Sequence, residues 1–188
     1  MKDEIFIASI LQKGKEAKEK VIHEFSDISL EQLNWKPLPG SWSIAQCLEH
    51  LIIADSAYFP DLKNITEGNF KMDFWEKHSL FTRLCGRLMK DSLQEQVKRK
   101  MIAPKKIQPQ KSDKKLDLID NYLKNLDTFF TLIANCKNVD IDKTIITSPT
   151  IRIVTYSLGD AFIFLIQHEH RHINQAIKVK TNERFPEN

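Results

Sequence analysis

Four stretches of this chain, residues 3–25, 43–64, 113–136 and 157–180, repeat their apolar side chains at helical spacing, and only five glycines punctuate the whole sequence. In the first stretch Ile7, Ile10, Leu11, Ala17, Val21 and Phe25 recur every few residues, which gathers them on one face of a helix. Four long amphipathic helices hide their stripes by facing one another, so the expected fold is all-α, a four-helix bundle.

Local signals mark the helix starts. Ser43 follows Trp42 and stands three residues before Gln46, a capping-box spacing, and Ser157 stands in the same relation to Asp160. The second helix is expected to run to about Asn64 with a bend at Pro60. SDISLEQLNWKPLPG, residues 26–40, breaks the first helix from the second. The connection over residues 65–112 far exceeds what a helical hairpin needs, and FWEKHSLFTRLCGRLMKDSL within it is expected to add a helix or two. A crossover of that length lets the second and third helices run parallel. KTIITSPTIRIVTYS, just before the last helix, is β-branched and reads as extended, without an obvious partner strand. One domain is expected over residues 1–188.

Composition excludes several classes. A chain that is 41% hydrophobic and 28% charged is neither disordered nor fibrous. The net charge of +3 gives no general reason to expect a nucleic-acid partner. One basic run, KRKMIAPKKIQPQKSDKK from Lys98 to Lys115, reads as a solvated connector rather than an anion-binding patch, since no aromatic residues interleave with its charges. Cys47, Cys85 and Cys136 are odd in number, widely spaced and set in apolar surroundings, as reduced core thiols are. Charges interrupt MKDEIFIASILQKGKEAKEK before a signal-peptide core develops, and no later run is long and apolar enough for a bilayer. A cytoplasmic protein without a membrane partner is expected.

The chemistry concentrates in QHEHRHINQ, residues 167–175, with three histidines in five positions. A helical residue advances about 100°, so His168 and His172 lie about 40° apart while His170 points to the other side. Ala161, Leu165, Ala176 and Val179 share the stripe of His168 and His172, which turns that pair toward a core. His50 likewise shares a stripe with Cys47, Ile53, Ala54, Ala57 and Tyr58, and Glu49 points away. A single inward histidine is more often a hydrogen-bonded core residue than a ligand. An i, i+4 pair is a stronger signal, because Cβ atoms about 5–6 Å apart let two imidazoles converge on one ion. His23 and His78 read as surface or packing residues.

Taken literally, His168-Glu169-x-x-His172 is also the H-E-x-x-H pattern of a zinc protease. That chemistry needs a third ligand downstream, and only Glu183 and Glu187 are on offer, in the polar tail TNERFPEN. Three histidines, His50, His168 and His172, explain more: they leave a fourth position open, as catalytic rather than structural sites do.

The segments WKPLPGSWSIAQCLEHL, residues 35–51, and LGDAFIFLIQHEHRHINQ, residues 158–175, resemble the DinB superfamily, the group that includes the YfiT-like proteins. In that family W-S-x-x-x-x-x-x-H opens the second helix and H-x-x-x-H-x-x-Q lies on the last, matching Trp42, Ser43 and His50, then His168, His172 and Gln175. The resemblance implies a divalent metal, zinc or nickel, held by His50, His168 and His172, with Gln175 as a hydrogen-bonding partner behind the ligands. It also implies a transferase that moves a low-molecular-weight thiol such as bacillithiol onto a small-molecule electrophile, or a related hydrolase. No catalytic side chain is assigned beyond the water or thiolate such a metal activates. The rival reading is a metal-free bundle that binds a partner without catalysis. Arg152 and Arg171 are candidate holders of a substrate carboxylate or phosphate, although surface charge is the commoner use. Apolar residues outside the inward stripes, Leu48, Ile52 and Phe59 on the second helix and Phe162, Ile166, Ile173 and Ile177 on the last, lead us to expect a homodimer.

Overall fold

The structure is a computed structural model that describes residues 2–78, 104–110 and 113–187. Cys85, the His78 side chain, the crossover from Ser79 to Ala103, and Lys111 and Ser112 of the basic run lie outside the described residues.

The fold is all-α, a four-helix bundle with a long crossover. Helix α1 spans Lys2–Phe25, a short α2 spans Leu30–Asn34, and α3 spans Ile44–Ser56. They are followed by α4 over Phe59–Thr66, α5 over Phe74–His78, α6 over Asp117–Asn135 and α7 over Leu158–Lys180. The expected second helix is thus two, broken at Ala57 and Tyr58, because Pro60 in the first turn of α4 disfavours helical continuation from the residues before it.

The caps form as the spacing predicts. The Ser43 hydroxyl accepts from the Gln46 backbone N–H while the Gln46 side chain accepts from the Ser43 N–H, and the Ser157 hydroxyl accepts from Asp160. A second capping box, Ser29 with Gln32, starts α2 inside the segment expected only to interrupt the chain.

Helix directions follow from which residues meet. Lys114 pairs with Glu49, Asn125 with Ser56 and Phe129 with Phe59, so α3 and α6 run the same way, as the crossover allows. Against α7 the order reverses: Trp42 meets His172, His50 meets His168, and Tyr58 bonds Tyr156 just before α7, so α3 and α7 are antiparallel. Helix α1 closes the bundle between α6 and α7, and Gly14 allows a near approach, since a Cβ there would stand 2.4 Å from the Phe130 ring.

The β-branched segment finds its partner in itself. Ile145–Thr147 and Thr155–Ser157 pair antiparallel, with Ile146 opposite Tyr156. The Tyr58–Tyr156 hydroxyl contact ties this hairpin to the α3–α4 corner, and the Glu76 carboxylate of α5 accepts from the Thr147 N–H at 3.0 Å.

The apolar residues that suggested a second subunit are used within the chain. Leu48, Phe162, Ile166 and Ile173 are buried, and Ile52, Phe59 and Ile177 pack half-buried against the same core. Among the described residues no helix is long and apolar enough to cross a membrane.

Candidate metal centre

His50, His168 and His172 are all buried, and one ring nitrogen from each lies within 4.8 Å of the others. Their ring centroids are 4.5, 4.6 and 4.9 Å apart, with interplanar angles of 68°, 74° and 68°, so the rings converge edgewise rather than stack. Two come from successive turns of α7 and one from the facing turn of α3.

The orientation of His50 is fixed by chemistry. Its Nδ1 lies 2.5 Å from the Ile107 carbonyl oxygen, and toward a carbonyl Nδ1 can only donate. Neutral His50 therefore carries its lone pair on Nε2, which faces the Nε2 of His168 at 3.0 Å. Two ligands about 2.0–2.1 Å from one tetrahedral ion stand about 3.3 Å apart, close to this separation. A hydrogen bond between the two rings accounts for the same distance, but it leaves His172 out, and the Nδ1 atoms of His168 and His172 are buried without partners. The donor set, three buried and neutral imidazoles whose ring nitrogens converge, fits a metal of the zinc or nickel type.

Surroundings keep the rings neutral. Burial holds the His168 pKa well below the ordinary imidazole value, and the charges of His172, His50 and Arg171 push the same way. Burial likewise takes His172 down to about 3, with a smaller opposing hydrogen bond from Gln175. Burial lowers His50, and its bond to Ile107 offsets part of that. Trp42 stacks on His172 at 5.5 Å and stands 4.9 Å from His50, while Phe164 stacks on His168 at 5.8 Å. Two aromatic walls thus exclude water from the imidazoles and strengthen any charge interaction among them.

The remaining candidates separate. Gln175 reaches His172, and Arg171 is close enough to act on two of the histidines, whereas Arg152 stands exposed on the hairpin connection. His170 turns away and its Nε2 meets the Lys13 carbonyl, and the His23 side chain is 83% exposed. Glu183 and Glu187 are exposed, on a tail held by Phe185 against Trp35 and by Pro186 O accepting from Gln32, so it is fastened rather than frayed. Cys47 is buried and its thiol is pushed up to about 12, which removes it as a thiolate ligand or nucleophile; burial takes Cys136 to about 11.

Glu169 is not a protease base. Its carboxyl accepts from the Tyr122 hydroxyl of α6 inside the core and faces Asp55 of α3. Two carboxylates bring acceptors only, so their contact becomes a hydrogen bond when one of them holds a proton. Burial raises both, Asp55 well above its ordinary value with the Glu169 charge adding to the effect, and Glu169 to about 7. Sequence reading passed over Asp55 and Tyr122. The sole signal was two acids on helices that also present inward histidines, and neither acid falls on the histidine stripe.

Among the described residues of the basic run, Lys105 and Lys106 are exposed, as a solvated connector requires, while residues 104–110 also dock on α3 through one 3-10 turn at Lys105–Ile107 whose isoleucine is buried.

Neither the comparison with curated proteins nor that with solved structures gives a match. The profile of the DinB superfamily matches residues 15–176, a span that takes in the C-terminal part of α1, all of α3 and α6, most of α7 and all three converging histidines. The chain belongs to the DinB superfamily.

Proposed function

We propose that this protein is a divalent-metal-dependent enzyme in which His50, His168 and His172 hold zinc or nickel, and that it transfers a low-molecular-weight thiol of the bacillithiol type to a small-molecule electrophile or carries out a related hydrolysis. The observation that carries the reading is the convergence of three buried imidazoles that are neutral without a metal. Bound there, such an ion supplies a thiolate or hydroxide at neutral pH. The chain contributes the rest. His50 is oriented by Ile107, Gln175 hydrogen-bonds His172, and Trp42 and Phe164 keep competing water away from the rings.

A second reading, a metal-free binding module, draws on the His50–His168 separation, which suits an N–H···N bond as well as two ligands. A panel of thiols and electrophiles distinguishes the two. Metal-dependent consumption of an electrophile that disappears in His172→Ala supports the enzyme. Metal-loaded protein that neither consumes thiol nor hydrolyses any electrophile overturns it.

A further inference from the structure

The bond that orients His50 depends on a backbone carbonyl from a stretch with almost no regular structure. Ile107 is 57 residues beyond His50, and a single 3-10 turn precedes the connection into α6. Such a segment holds a carbonyl in place only if something grips it.

The grip comes from α3 itself. Gln46 Nε2 donates to the Gln110 carbonyl at 2.9 Å, and Glu49 Oε2 accepts from the Gln110 N–H at 2.8 Å. Side chains one turn apart thus clasp both backbone groups of one residue, as a neighbouring strand would. Glu49 Oε1 also pairs with Lys114 Nζ at 2.7 Å, and both side chains are largely shielded from solvent. Farther on, Asn34 donates to the Lys114 carbonyl and accepts from its N–H at 2.8 and 2.7 Å. Glu49 turns away from the histidine stripe, so its place beside His50 in sequence serves the outer side of the same helix.

We propose that Glu49 and Gln46 are positioning residues for the metal centre: they hold residues 104–110 so that the Ile107 carbonyl keeps the His50 proton on Nδ1 and its Nε2 lone pair on His168 and His172. The metal part of this inference rests on the proposed function, whereas the effect on His50 does not. Partners behind metal-bound histidines typically change affinity about 10–100-fold when removed, and here the partner is a main-chain group that no side-chain substitution deletes. Its holders are the residues that mutation can reach.

The test reads the His50 tautomer in metal-free protein by long-range nitrogen–proton NMR, beside a zinc titration of the same samples. Wild type is expected to show His50 as a single Nδ1–H tautomer. Glu49→Ala removes the acceptor for the Gln110 N–H. Gln46→Glu keeps the cap on Ser43 but loses the donor to the Gln110 carbonyl. Both are expected to give a mixed His50 tautomer and zinc affinity weaker by about 10-fold or more, with the His170 signals and the helical spectrum unchanged. Glu49→Gln retains an acceptor and is expected to restore the single tautomer. A His50 that stays wholly Nδ1–H in both Glu49→Ala and Gln46→Glu overturns the proposal. A tautomer that shifts while wild type takes up no zinc upholds the positioning and overturns the metal reading instead.

Discussion

His50 and His168 meet Nε2 to Nε2 at 3.0 Å although 118 residues separate them in sequence. Since the His50 proton is committed to Ile107, either His168 supplies a proton between the two rings or a cation takes both lone pairs. Only the cation also uses His172.

The first prediction concerns pH. A buried histidine whose folded pKa is depressed is neutral well below the ordinary imidazole range, so few protons compete with the metal there. Burial takes His172 to about 3 and also lowers His50 and His168. Zinc affinity measured by chelator competition is therefore expected to change less than about 3-fold between pH 8 and pH 6, falling only in more acid solution. A tenfold loss per pH unit beginning near 6.5 contradicts this.

The buried acids give the opposite sign. Glu169 moves from 4.5 to about 7, so between those values the folded protein holds a proton that the unfolded chain has released. Its contribution is fully present below pH 4.5 and is lost as pH rises through about 7. Chemical denaturation is expected to show wild type losing up to about 3 kcal/mol relative to Glu169→Gln across that window. A difference independent of pH contradicts the assignment. Tyr122→Phe strips the donor from Glu169 and is expected to cost about 1–3 kcal/mol at pH 6.

Ser43 caps α3 from a buried position, where water cannot replace its hydroxyl. Ser43→Ala is expected to lower stability by about 1–2 kcal/mol in urea titration, and Ser43→Asp to recover most of the loss. Equal stability of Ser43→Ala and wild type contradicts a role for the cap.

Two thiols should be silent in the folded state. Cys47 and Cys136 have pKa values raised by burial. In a Cys85→Ser background, a disulfide reagent at pH 8 is expected to label neither cysteine until denaturant is added. Rapid labelling of the folded protein contradicts the burial.

How much of this was legible follows from how local each signal is. The Ser43–Gln46 and Ser157–Asp160 caps span one turn, and the His168–His172 stripe needs only helical geometry, so sequence revealed them directly. His50 was legible through its own stripe. The Asp55–Glu169–Tyr122 cluster joins three helices off those stripes, so it depended on how the helices rotate against each other. The Ile107 carbonyl was beyond reach for a different reason: a backbone acceptor has no residue type to betray it. The apolar excess read as a dimer face is also what a bundle helix with two neighbours needs, and α7 packs on both α1 and α3.

The most direct measurement is the metal content of protein purified without a metal-affinity tag. The account predicts about one zinc or nickel per chain in wild type and in His170→Ala, whose ring faces the Lys13 carbonyl, and almost none in His50→Ala or His172→Ala. Wild type that holds no metal after incubation with zinc and nickel, or His50→Ala and His172→Ala variants that hold as much as wild type, contradicts it.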